Sequence, residues 1–152
     1  MIRYVLAVLL TVAILGIVAV GVDEATTLRG EQKVESAVTE IDESATGLFD
    51  EDATGDTQMG PRRVIEIALP ADGYAQSSPE RLEFTRVTER NATRVVYQFD
   101  GGAERSTIVH APLVQNGRDS FELSGYTGDQ TLVLELTLDD EGQRVVDVTV
   151  RS

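Results

Sequence analysis

The chain has no cysteine and no tryptophan, and it has only one histidine and one lysine. Without cysteine there are no disulfides, no thiol nucleophile and no thiolate metal site. A single histidine, His110, excludes a histidine-rich zinc centre. A serine triad would have to use that same residue, yet no GxSxG turn surrounds any serine. His110 therefore reads as a partly buried or edge residue of a strand that also carries Ile108. Basic charge is scarce as well. Thirteen lysines and arginines face 26 acids, a net charge of −13. Such a chain repels nucleic acid and anionic headgroups. Lys33 is the only lysine; the other cations are arginines. The chain shows no internal repeat. The residues imply no catalytic, cofactor or metal site, and the protein reads as non-enzymatic.

What the chain does have is an uncharged apolar run, Tyr4 to Val22. As a helix at 1.5 Å per residue it is about 28 Å long, close to the hydrocarbon thickness of a bilayer. Within lipid every backbone amide must be bonded internally, so a single span must be helical. Tyr4 and Val22 mark its ends. Thr11 can return its hydroxyl to the preceding turn. Gly16, with Gly21, lets another helix approach closely. Arg3 precedes the run, and Asp23 and Glu24 follow it. This bias places a short N-terminus in the cytoplasm and the remainder outside. A secretory signal cleaved near Ala19-Val20-Gly21 is the competing reading.

Residues 23–60 carry eleven acids against Arg29 and Lys33. Val34, Ala37, Val38, Ile41, Ala45 and Leu48 recur at three- and four-residue spacing, forming one apolar stripe of a helix. The spacing predicts about fifteen helical residues, weakly joined to the span through Gly30, then an acidic linker. Val34, Val38, Ile41, Ala45 and Leu48 would either dock another helix or cover the chain's own β-domain. Asp50-x-Asp52-x-Thr54-Gly55-Asp56 has the alternation of a calcium loop. The bidentate glutamate six residues after the glycine is missing, and Pro61 stands there. Chance spacing in an acidic chain is the better account.

From Arg62 the period changes to two. Ile65, Ile67 and Leu69 alternate with Glu66 and Ala68. Further strands are read around Leu82 and Phe84, from Val95 to Phe99, from Thr107 to Leu113, and around Phe121 and Leu123. Asp100-Gly101-Gly102 is a hairpin signal, and Pro112 marks an edge or bulge. The last hairpin places Leu132, Leu134, Leu136 and Leu138 on one face, opposite Val146, Val148 and Val150. Asn91-Ala92-Thr93 is an N-glycosylation sequon in a predicted loop. The expected fold class is α+β. A transmembrane helix (1–22) and an amphipathic stalk and linker (23–60) precede an antiparallel β-sandwich or barrel of about seven strands (61–152).

An apolar N-terminal helix, an amphipathic acidic helix and an all-β domain in that order resemble the type IV pilin-like proteins of archaea. The lysine-poor, acidic composition resembles proteins of salt-accumulating haloarchaea, in which dense carboxylates keep the surface hydrated. Met1-Ile2-Arg3-Tyr4 offers the charged residue of a prepilin cleavage site but not the small one. The resemblance thus implies a pilus- or secretion-associated component that stays in the membrane, with its β-domain outside. Its partners would be the lipid bilayer and other membrane or pilin-like proteins, met through the N-terminal helix. The alternative is a binding module released by signal cleavage.

Overall fold

The computed structural model describes residues 28–50, 60–71, 73 and 77–151. Tyr4, Thr11, Gly16 and Val22 lie outside these residues, as does most of the calcium-like run. No helix among the described residues is long and apolar enough to cross a membrane.

Residues 28–50 form one helix, α1, longer than the stripe alone predicts. The helix passes through Gly30 because glycine is needed there for packing, not for flexibility. A Cβ at Gly30 would lie 2.5 Å from the Ser77 carbonyl oxygen and 2.7 Å from Cε1 of Phe99. Among the described residues eight strands follow: β1 (Arg62–Leu69), β2 (Arg81–Val87), β3 (Ala92–Gln98), β4 (Arg105–Val109), β5 (Leu113–Val114), β6 (Ser120–Glu122), β7 (Gly128–Leu138) and β8 (Arg144–Arg151). They form two four-stranded sheets, ordered β1-β7-β8-β5 and β4-β3-β2-β6. Each sheet keeps two open edges, so the strands do not close into a barrel. All pairings are antiparallel except β5 with β8.

The expected strand from Thr107 to Leu113 is two strands in different sheets, which raises the count from seven to eight. The chain leaves one sheet after Val109 and enters the other at Leu113. Pro112 has no N–H for a continuous ladder. The crossing is tied by Thr93, the polar residue among those described that is completely buried. Its hydroxyl donates to the Ala111 carbonyl at 2.8 Å and accepts from the Leu113 N–H at 2.8 Å. One side chain thus satisfies two backbone groups that would otherwise be unpaired inside the core.

Both sheets and α1 share a single core. Alternation sets the inner faces: Ile65, Ile67 and Leu69 on β1, Leu132, Leu134 and Leu136 on β7, Val146 and Val148 on β8, and Leu82 and Phe84 on β2. Leu138 departs from the expected leucine face and is 63% exposed. It pairs with Arg144 at the turn end of the hairpin, beyond the reach of the core. The helical stripe is fully consumed: Val34, Val38, Ile41, Ala45 and Leu48 are 0–5% exposed against the chain's own sheets. Residues 28–50 and the strands are therefore parts of one packed body, not a stalk beside a separate domain. The stripe is closed to a partner helix.

Candidate functional site

Outside its apolar stripe, α1 is tied to the sheets by polar contacts along its length. Near its start, Glu31 pairs with Arg105 at 3.1 Å. One turn on, Tyr97 donates to Glu35 Oε1 at 3.1 Å. Burial and the adjacent Glu35 carboxylate raise the Tyr97 phenol above its ordinary pKa. Asp42 accepts the His110 backbone N–H at 2.7 Å and lies 3.0 Å from His110 Nδ1. Arg63 donates to the Ser44 carbonyl oxygen at 3.4 Å. At the far end the Arg144 guanidinium sits 4.8 Å from the centre of the Phe49 ring, a cation–π contact.

Two clefts flank this frame. The first, about 570 Å³, runs between α1 and the edge strand β4 and is lined by Glu35, Thr39, Asp42, Tyr97, Arg105 and Thr107 among others. His110 adjoins it but does not behave as the edge-strand residue expected from sequence. Its side chain is 72% exposed, just past the end of β4. Asp42 holds one ring nitrogen as a triad carboxylate would, but among the described residues no hydroxyl reaches the other nitrogen. The pair can orient an imidazole; acyl transfer would require a nucleophile beside it.

The second cleft, about 450 Å³, lies at the β7–β8 turn. Arg86 forms its floor, with its side chain only 4% exposed. It donates to Asp139 at 2.9 Å, to Asp119 at 3.3 Å and to Gln143 at 3.1 Å. Asp139 also caps the turn, accepting the Gln143 and Glu141 backbone N–H groups at 2.7 and 3.0 Å. The Gln143 amide first, and then Arg86 and the Glu141 amide, hold the Asp139 carboxyl below its ordinary pKa against the opposing effect of burial. Asp140, Glu141 and Asp147 complete an acidic rim. Arg86 joins β2 of one sheet to the β7–β8 hairpin of the other, so its evident work is structural. No group of three or more His, Cys, Asp or Glu among the described residues is placed to hold a metal ion.

The sequon divides between surface and core. Asn91 is exposed in a left-handed turn, at φ 47°. Thr93, two residues on, is the buried tie at the crossing. The roles of Thr93 and Arg86 were not drawn from the sequence, although a signal was there. Thr93 has the parity of Val95 and Tyr97, and Arg86 that of Leu82 and Phe84, so alternation already turned both inward.

A family model described as a domain of unknown function (DUF7311) matches residues 1–151. No curated protein and no solved structure matches the chain.

Proposed function

We propose that this chain, which belongs to the DUF7311 family, is a non-enzymatic single-span membrane protein that presents its β-domain outside the cell. The observation that carries this reading is the uncharged run from Tyr4 to Val22, five residues ahead of a helix built into the domain core. A run of that length and polarity is stable across a bilayer and costly to expose to water. The order of span, amphipathic helix and β-sheets supports a role beside pilin-like or other surface assemblies. Because the amphipathic stripe is occupied by the chain's own sheets, contact with other membrane proteins would run through the span, where Gly16 permits close approach. The acidic, nearly lysine-free composition supports a salt-rich setting.

Membrane fractionation with protease added to intact cells tests the reading. The protein is expected in the membrane fraction, with its β-domain removed by protease. Protection of the domain while a surface marker is cleaved would overturn the orientation. A mature protein beginning after Gly21 would replace the anchor with a released module.

A further inference from the structure

The polar ties along α1 give the domain two distinct ends. Gly30 meets Ser77 and Phe99, and Glu31 meets Arg105, so the start of α1 lies beside residues 77–80 and the β3–β4 turn at 99–104. Phe49 meets Arg144, so the other end of α1 lies at the β7–β8 turn and its acidic cleft. Residues 28 to 49 of a helix are about 32 Å apart.

We propose that the end at which α1 begins rests against the bilayer surface and that the acidic end is held outward. This rests on the reading of Tyr4 to Val22 as a span. Between Val22 and Leu28 stand only five residues. Even fully extended they reach no more than about 20 Å, less than the length of α1. The apolar stripe of α1 is buried in the core it shares with both sheets, so α1 cannot swing away from them. The domain must therefore follow its helix.

Charge is compatible with the same pose. Near the start of α1 three acids have arginine partners, Glu31 with Arg105 and both Glu83 and Glu104 with Arg81, while Glu80 and Asp100 stand exposed beside them. Leu28, 55% exposed, offers an apolar side chain to the headgroup region. At the far end the Arg86 side chain is buried against Asp119 and Asp139, while Asp140, Glu141 and Asp147 line the cleft. Anionic headgroups repel that end.

The absence of cysteine permits a direct test. Ala103→Cys, in the exposed β3–β4 turn, and Glu141→Cys, in the exposed β7–β8 turn, each carry a fluorophore on the full chain. The chains are reconstituted in phosphatidylcholine–phosphatidylglycerol vesicles containing a headgroup-labelled acceptor lipid, and the vesicles are floated. Energy transfer is expected to be at least threefold more efficient from position 103 than from position 141. Equal efficiencies, or the reverse order, from chains that float with the vesicles would overturn the pose while leaving the anchor intact. Chains that stay at the bottom of the gradient would overturn the anchor, and the pose with it. Both substitutions are at exposed turn positions, and circular dichroism of each labelled chain checks its fold.

Discussion

Replacing Thr93 by valine tests the crossing between the sheets most directly. Valine keeps the shape and β-branching of threonine and suits a strand. It removes the hydroxyl that donates to Ala111 and accepts from Leu113. The Ala111 carbonyl and the Leu113 N–H would then be buried without partners. Each such group costs about 1–3 kcal/mol, so Thr93→Val should cost roughly 2–6 kcal/mol. A domain of this size has about 5–15 kcal/mol in total. Thr93→Ser keeps the hydroxyl and loses one methyl group, for about 1 kcal/mol. The assay is urea unfolding of a fragment spanning residues 28–152, which contains the whole core. The slope against urea should stay constant while the valine midpoint falls well below that of serine. Equal losses in the two variants would refute the claim that the hydroxyl holds the crossing.

Three further outcomes follow from the packing and the turn. A fragment beginning at Arg62 lacks Val34, Val38, Ile41 and Leu48, each contributing about 1.5–3 kcal/mol by burial; it should fail to give a cooperative melt, and a melt equal to that of 28–152 would show α1 to be dispensable. Leu134→Ala, at 0% exposure, should cost about 2–5 kcal/mol, whereas Leu138→Ala and Thr149→Ala should each stay near 0.5 kcal/mol; comparable losses in denaturant unfolding would mean the inner face is misassigned. Asp139 has a folded pKa below its unfolded value of about 3.9, so its contribution is present above pH 4 and is lost as pH falls through the folded pKa. Asp139→Asn should therefore flatten the fall in stability between pH 4 and pH 2, and an unchanged slope would exclude Asp139 from the acid transition.

Much of this fold is legible in the sequence because one physical pattern, apolar periodicity, does most of the specifying. Spacing of three and four placed the buried face of α1, and spacing of two placed Ile65, Ile67, Leu132, Leu134, Val146 and Val148 inward. Periodicity does not report which sheet a strand joins. Thr107 to Leu113 looked continuous because Ile108 to Leu113 is mostly apolar, whereas the tie that breaks it comes from Thr93, at a distance in sequence. Nor does local pattern show what an amphipathic helix packs on. Gly30 reads as a weak joint when only propensity is considered. It proves to be a contact point once Ser77 and Phe99 are placed beside it. The clefts were not legible for the same reason: Arg86, Asp119 and Asp139 meet through tertiary structure alone.

The sequon leads to a last prediction, in which structure and modification compete for one hydroxyl. An N-x-Ser/Thr motif is defined by its third residue as much as by its asparagine. The transferase must therefore meet the Thr93 hydroxyl as well as the Asn91 amide. In the folded domain Asn91 is exposed, but Thr93 is 0% exposed and engaged on both sides by backbone groups. Exposure of Asn91 alone thus does not make the site available. The folded chain should resist glycosylation, and a chain that carries the glycan should have received it before the crossing closed. Once attached, the glycan is compatible with the fold, because Asn91 is exposed. The test presents native and urea-unfolded protein, returned to mild conditions, to an oligosaccharyltransferase preparation and compares glycan occupancy by mass. Occupancy confined to the chain still unfolded at the moment of mixing is expected. Equal occupancy of the native protein would show that Thr93 opens readily, and it would contradict the stability assigned above to its two hydrogen bonds.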